Sequence, residues 1–486
     1  MNFSSSLFLL YFLPFFLVIY YLSGHRYRNK LVAVSSIVFF MWGAPSFTFL
    51  LLASIMINHY LGGVMHAVQG QHRKTLLYFL IIANVALLLY FKYTGFFIDQ
   101  FNTLLSLARL PGIPAPNILL PLGISFITFQ QVSYLIDVYR NTSEPAQKVS
   151  DYALFVLFFP KILAGPIIRY KEFYPQLADR GQMSGMEDRI RGFFRFSLGL
   201  FKKVMIANTL GIYADEIFAT APFLLDSKTA WLGALAYSFQ IYFDFSAYSD
   251  MAIGLARMMG FHIKENFNNP YISSGIIEFW KRWHITLGTW LRDYLFLPLA
   301  YVISRRLPRN SYFGIKTDLL LYISSSIITM LICGFWHGAG WTFIIWGMYH
   351  GLLMALEKAF LSKVLKRTGR VFPAICTFFL VTLGWVLFRA DSTQYALGFY
   401  LQMFSFSGIN VDYVIQPQLI ILLVASAIFS LWALIPGIEK RQMQLYTEVR
   451  STAGLSALTA FGIILFVIGL SQVTATGFNP FIYFRF

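Results

Sequence analysis

The sequence predicts an all-α polytopic membrane protein, and three observations carry that reading. Of its 486 residues, 57% are hydrophobic and 12% charged, and the mean hydropathy is +0.61, more apolar side chain than a water-soluble globule can hide. Apolar runs near the ~20 residues that cross a bilayer recur along the chain. Basic residues gather in the short stretches between those runs, as the positive-inside bias requires of cytoplasmic loops. Together these predict about 11–13 membrane-embedded segments in one domain over residues 1–486. The net charge of +16 follows from the same bias, so the reading calls for a membrane-lipid surface and no nucleic acid.

The first apolar run, Leu7 to Leu22, precedes Arg26, Arg28 and Lys30, the order of a retained helix rather than a signal peptide. Leu31 to Gly62 is too long for one span and is broken at Gly43-Ala44-Pro45, so two short spans forming a hairpin are expected. Beyond Arg73-Lys74, Thr75 to Phe97 leads outward, the proline-rich segment from Pro111 to Pro116 forms an outer loop, and Leu119 to Tyr139 returns. Asp151 to Ile168 is apolar but lies between Lys148 and Arg169 and carries Pro160, Gly165 and Pro166, which suits a re-entrant segment. The basic stretch Lys171, Arg180, Arg189, Arg191, Arg195, Lys202 and Lys203 reads as a cytoplasmic surface against anionic lipid. Val204 to Leu225 and Trp231 to Gly260 then cross out and back.

Around Trp280 the pattern changes. Trp280, Trp283, Leu287 and Trp290 recur at helical spacing while Lys281, Arg282 and Arg292 point elsewhere, which predicts one amphipathic helix at the cytoplasmic boundary. Basic residues flank Leu319 to Leu356 on both sides: Arg305, Arg306, Arg309 and Lys316 before it, then Lys358, Lys363, Lys366, Arg367 and Arg370. Its middle must therefore turn, near Gly334 to Gly340. Val371 to Phe388, Gln418 to Ile435 and Leu455 to Leu470 complete the spans, with Lys440, Arg441 and Arg450 in an inner loop.

Two of the eight histidines stand apart. His337, beside Trp336, lies in the turn of the Leu319 to Leu356 segment, where an ionisable group is costly. Two readings compete: a neutral imidazole bonded to a carbonyl freed by the nearby glycines, or a general base kept neutral by desolvation. His284 follows Trp283 at the predicted interfacial helix and could equally anchor it. His59 and His350 lie in apolar runs and read as satisfied packing residues. The two cysteines, Cys333 and Cys376, indicate neither a disulfide framework nor a thiolate metal site, and with no HExxH pair a metal is not expected. There is no GxSxG elbow or P-loop, which argues against hydrolase and nucleotide-driven chemistry. Asp137, Asp244 and Asp250 in apolar runs keep a proton-coupled transporter as a rival from another class.

Several stretches resemble the membrane-bound O-acyltransferase family, in its bacterial branch of alginate O-acetylases, peptidoglycan O-acetyltransferases and teichoic acid D-alanyl transferases. They fall in order over residues 121–390: Pro121-Leu122-Gly123 through Asp137-Val138-Tyr139-Arg140, Ala164-Gly165-Pro166-Ile167, Tyr242-Phe243-Asp244-Phe245 through Asp250, Glu265-Asn266-Phe267, Phe279 through His284, Trp290-Leu291-Arg292-Asp293-Tyr294, Gly334-Phe335-Trp336-His337-Gly338, and Trp385 through Ala390. Phe335 stands where a leucine is frequent and Lys281 where an arginine is. The resemblance implies a ring of tilted and re-entrant helices around a thin centre with a funnel, with His337 in the position of the invariant histidine and His284 in that of a second. It implies acetyl transfer from a cytoplasmic donor, acetyl-CoA, with no bound cofactor, to a periplasmic partner protein or polysaccharide hydroxyl across the bacterial inner membrane. His337 would act as base or carry the acetyl group, with His284 aligning the donor. Lys281, Arg282 and Arg292 are placed to attract the donor's phosphates, and Trp283, Asp293, Trp336 and Asn266 complete the expected substrate contacts. Chain length favours the polysaccharide type, with alginate ahead of cellulose or peptidoglycan, and D-alanyl transfer to teichoic acid last.

Overall fold

The computed structural model describes residues 2–178, 185–312, 314–365, 368–405, 413–447 and 451–476. Arg180, Lys366, Arg367 and Arg450, counted above as cytoplasmic markers, lie outside the described residues. The chain divides into two compact units, Met1–Gly192 with Ala252–Lys264, and Phe193–Met251 with Glu265–Phe486. Helices dominate both; a two-residue hairpin, Ser311–Tyr312 with Ile315–Lys316, supplies the strands among the described residues. Among the described residues, six helices are long and apolar enough to cross a membrane: Pro45–Ala67, Gly70–Leu107, Thr317–His337, Val371–Arg389, Pro417–Leu434 and Thr452–Thr476. The chain is an integral membrane protein.

The first unit begins with a π-helical turn, Phe8–Phe12, running into α1 (Leu13–Leu22). The expected break in the next run falls at Ala44, between α2 (His25–Gly43) and α3 (Pro45–Ala67). Proline fixes the new start, since it has no N–H to leave unpaired. Next come α4 (Gly70–Leu107), longer than the span read from sequence, and α5 (Ile124–Tyr139).

Where a re-entrant segment is expected lies α6 (Val149–Leu157), nine residues long, followed by an irregular stretch to Arg169 whose side chains are buried through Ile168. Buried irregular backbone must find partners inside the protein. Here the Phe159 N–H donates to Ser36 Oγ at 3.1 Å, the Gly165 N–H to the Lys161 carbonyl at 2.9 Å, and Lys161 Nζ to Gln130 Oε1 at 2.8 Å. Next are α7 (Tyr170–Ala178) and α8 (Met186–Phe201).

A π-helical turn, Lys202–Ala207, leads in the second unit to α9 (Asn208–Ala219) and α10 (Ser227–Met258). Here the reading of the basic stretch as a lipid-facing surface fails for Arg195, Lys202 and Lys203, while Lys171 is exposed. Arg195 and Lys203 are buried. Lys203 pairs with Asp244 at 2.7 Å, Lys202 with Asp250 at 2.8 Å, and Arg195 with Asp250 and Glu265, each at 2.6 Å. A charge leaves water only when paired, and the acids on α10 supply the pairing.

The predicted interfacial helix is two helices, α11 (Ile276–Arg282) and α12 (Ile285–Leu291). One face cannot run from Trp280 to Trp290 because His284 has φ 44° and ψ 52°, a left-handed backbone that ends a right-handed helix. A π-helical turn, Arg292–Phe296, and α13 (Leu297–Ser304) follow. The charge-counted hairpin is present as α14 (Thr317–His337) and α15 (Trp341–Leu356). Its helices approach so closely that a Cβ on Gly334 would strike the Phe343 carbonyl oxygen, and one on Gly347 the Met330 carbonyl oxygen. Small residues are what allow membrane helices this contact.

Past a π-helical turn at Glu357–Leu361 come α16 (Ser362–Leu365), α17 (Val371–Arg389), α18 (Thr393–Phe404), α19 (Pro417–Leu431), α20 (Ile438–Thr447) and α21 (Thr452–Thr476). The packing of the hairpin yields a prediction. Gly347→Leu drives a side chain into the α14 backbone and costs about 3 kcal/mol or more, beyond the usual overpacking range. Tryptophan fluorescence of the detergent-solubilised variant will show a lower thermal midpoint; an unchanged midpoint contradicts the contact.

Candidate active site

Three elements of the second unit meet around His284. Its backbone turn is tied to the loop at Glu265–Asn269, where the Ile285 N–H donates to the Asn266 carbonyl at 2.9 Å and the Asn268 N–H to the Arg282 carbonyl at 3.0 Å. The His284 ring lies edge-on to Phe245 of α10, centroids 4.7 Å apart. Its Nδ1 is 3.0 Å from Asn266 Oδ1, and its Nε2 is buried with no hydrogen-bond partner among the described residues. Burial pushes the imidazole down to about 3, because a desolvated ring resists taking a second proton. His284 is therefore neutral at physiological pH.

His284 lines a cavity of about 450 Å³ whose walls include Trp280, Tyr322, Met330 and Cys333, a volume in the range of small-molecule sites. Three cations line it: Lys281, Arg292 and Lys358. Arg292 and Lys358 each occupy a π-helical turn, a local widening often found at functional positions. Glu357, beside Lys358, caps α11 by accepting from the Ile277 N–H at 3.0 Å.

His337 ends α14 and is 7% exposed. Rings surround it: Trp336 at 4.8 Å, Phe388 of α17 at 5.1 Å and Trp346 of α15 at 5.3 Å between centroids. It faces a void of about 10 Å³ lined by Phe245, Trp283, Trp346, Trp385 and Phe388 among others, room for no more than one water. Two aromatic links join this void to the larger cavity. Phe245 touches His284 and lines the His337 void, while Trp346 packs on His337 and, at 5.6 Å, on Trp280 of the cavity wall.

The structure distributes the remaining expected site residues. Lys281 and Arg292 reach the cavity. Arg282 does not: it pairs with Glu278 and Glu439, each at 2.8 Å, and donates to the Asn268 carbonyl, so its charge is committed to joining α11 to α20. Asp293 accepts from Arg292 Nε at 2.6 Å. Trp283 is buried between Phe267 and Trp385 and lines the void rather than the cavity. Asn266 is 0% exposed with both ends of its amide engaged by the protein, which removes it as a substrate contact. Lys358 was legible only as a loop charge, because no local pattern connects it to Lys281. His350 departs from its reading as well. It is fully buried among Phe279, Trp280, Trp346 and Tyr349, yet neither ring nitrogen has a hydrogen-bond partner among the described residues.

The acids invoked for a transporter are placed differently. Asp244 and Asp250 are held against Lys203, Lys202 and Arg195, a packing role, and Asp137 is buried in α5 of the first unit.

Fold and site together define a polytopic membrane protein in which one buried histidine ends the first helix of a tight hairpin and another sits in a left-handed turn beside a cation-lined cavity. The chain belongs to the membrane-bound O-acyltransferase family, whose profile matches residues 122–397, and it is an acyltransferase. It is 38% identical to a protein named probable alginate O-acetylase from Azotobacter vinelandii, over 100% of both chains. It is 43% identical to one of the same name from Pseudomonas aeruginosa, over 84% of this chain and 75% of that one. Identity to a peptidoglycan O-acetyltransferase of Helicobacter pylori is 36%, over 84% of this chain and 81% of the other.

The different placements of neighbouring cations are testable. Arg282→Ala removes a paired, half-buried guanidinium and costs about 1 kcal/mol or more of stability, whereas Lys281→Ala stays within about 0.5 kcal/mol. Thermal unfolding of both variants checks this, and equal losses would contradict the assignment.

Proposed function

We propose that this protein transfers an acetyl group from cytoplasmic acetyl-CoA to a hydroxyl acceptor beyond the membrane, in the O-acetylation of alginate. The observation that carries the reading is the continuity of the site. A cation-lined cavity that includes His284 adjoins, through Phe245 and the Trp280–Trp346 pair, the void that holds His337. A charged thioester does not cross lipid, so donor and acceptor must meet where the protein is thin, and a short aromatic layer between the two histidines suits that need. Full-length similarity to proteins named for alginate O-acetylation supports the acceptor class, and similarity to a peptidoglycan O-acetyltransferase supports the reaction across the wider branch.

In this mechanism the CoA phosphates lie against Lys281, Arg292 and Lys358, where charge-assisted hydrogen bonds hold them. His337 takes the proton of the accepting hydroxyl, the oxygen attacks the thioester carbonyl, and the C–S bond breaks to release the CoA thiolate. Its ring is boxed by Trp336, Trp346 and Phe388, which hold the imidazole in place at the void. A route in which His337 carries the acetyl group uses the same geometry. The acceptor is a periplasmic partner protein that passes the group to the polysaccharide, since a catalyst held in the membrane does not reach along an extended polymer.

The test uses membranes containing the full chain, labelled acetyl-CoA and the purified partner. His337→Ala lowers acetyl transfer by about 10²–10⁴, the usual worth of a general base; full transfer by a folded variant would sink the assignment. Separately, Lys358→Ala and Arg292→Ala each raise KM for acetyl-CoA roughly fivefold to tenfold with kcat nearly unchanged, since a partly exposed phosphate contact is worth about 1 kcal/mol. A fall in kcat at constant KM would place the phosphates elsewhere.

A further inference from the structure

The hydrogen bonds around Asn266 fix which nitrogen of His284 carries its proton. Asn266 Oδ1 lies 3.2 Å from the Thr286 backbone N–H and 2.8 Å from Thr286 Oγ1. A backbone N–H only donates, so the atom it meets is the amide oxygen and not the amide nitrogen. The other end agrees: Asn266 Nδ2 donates to Ser249 Oγ at 3.2 Å. The oxygen so identified also lies 3.0 Å from His284 Nδ1. Two acceptors make no hydrogen bond, hence Nδ1 bears the proton and Nε2 bears the lone pair. Nε2 is also the ring nitrogen with no partner among the described residues, on a side chain that lines the 450 Å³ cavity.

Asn266 is itself held from two sides. Its neighbour Glu265 receives both terminal nitrogens of Arg195, at 3.1 and 2.6 Å. Arg195 Nε donates to Asp250 at 2.7 Å, the residue after the Ser249 that meets the Asn266 amide. One buried guanidinium thus joins the Asn266 loop to α10, with Lys202 completing the charge balance on Asp250. The left-handed backbone of His284 is the conformation that lets the ring and the Thr286 N–H converge on one oxygen. Non-glycine residues in that region are uncommon and recur at functional positions.

We propose that Asn266 is a positioning residue that fixes the proton of His284 on Nδ1 and presents a bare Nε2 to the donor, where it accepts a hydrogen bond from the amide arm next to the thioester. This rests on the donor cavity proposed above. The charged side chains lining that cavity are Lys281, Arg292 and Lys358. Among the described residues none of these is an anion, so none favours a second proton on the ring, and burial opposes one as well.

Two measurements test the proposal, one of them independent of acetyl transfer. Nitrogen-15 solid-state NMR of the histidine-labelled full chain, with His284 assigned by difference against His284→Gln, should show protonated Nδ1 and bare Nε2. Asn266→Ala should release the proton to a tautomer mixture. A ring protonated on Nε2 in the native chain, or a proton on Nδ1 that is indifferent to Asn266→Ala, overturns the proposal. The second measurement is the Kd of acetyl-CoA against pH. Asn266→Asp keeps the shape but sets a carboxylate against the ring, which favours the imidazolium. Binding should weaken roughly tenfold or more at neutral pH and recover as pH rises, displacing the acid limb by about one pH unit or more. An Asn266→Asp curve coincident with the native one also overturns the proposal. Should Asn266→Ala fail to fold, Ser249→Ala, which frees only the far end of the amide, replaces it in the NMR comparison. If the native chain binds no acetyl-CoA, the donor cavity is wrong, and the NMR result still decides the role of Asn266.

Discussion

Asn266 and the turn at His284 constrain each other through backbone and side chain together, and most of the site's layout follows from that pairing. The Asn266 carbonyl takes the Ile285 N–H while its side-chain oxygen takes the Thr286 N–H, the Thr286 hydroxyl and the His284 ring. These bonds satisfy the first N–H groups of α12, which no intrahelical carbonyl reaches, and they hold His284 left-handed. With the helix broken there, α11 carries Trp280 and Lys281 to one side of the cavity and the turn after α12 carries Arg292 to another. A continuous helix would have put these residues on faces set by the helical repeat, with no cavity between them.

A second constraint comes from burying charge. Arg195, Lys202 and Lys203 meet Asp244, Asp250 and Glu265 inside the second unit, and removing one partner of such a buried pair typically costs about 3–5 kcal/mol. Pairs of this kind contribute little net stability but tolerate few alternative arrangements, since each misplacement leaves an uncompensated ion. Their value here is register: α8, α10 and the Asn266 loop are held at defined offsets. The glycine contacts of α14 with α15 do the same for the hairpin that ends at His337.

Much of this was legible in the sequence, and the unread parts have physical reasons. The break at Ala44, the irregular backbone after α6 and the turn after His337 were legible because proline, glycine and the sidedness of basic loops are local or global signals that composition carries. The amphipathic helix at Trp280 was misread, since periodicity reports faces and is blind to a single left-handed residue held by a loop some twenty positions earlier. Arg195, Lys202 and Lys203 read as surface cations because their pairing with Asp244, Asp250 and Glu265 depends on tertiary contact. Arg282 and Lys281 are adjacent and chemically alike; pairing with Glu278 one helical turn earlier and with the distant Glu439 separates the structural cation from the one lining the cavity. Lys358 was invisible as a site residue for the same reason. Assignment of His337 and His284 rested on ordered motifs over residues 121–390; residue context by itself left His337 balanced between a packing role and a chemical one.

The central claim is that one acetyl donor spans from the cations at Lys281, Arg292 and Lys358 to the aromatic layer between His284 and His337. Cryo-electron microscopy of the full chain with a non-transferable acetyl-CoA analogue tests it most directly. The account predicts phosphate density against those three cations, with the analogue's acyl carbon at the Phe245 layer and an amide of its arm on His284 Nε2. Density for the analogue outside this cavity, or an acyl carbon remote from both histidines, would contradict it.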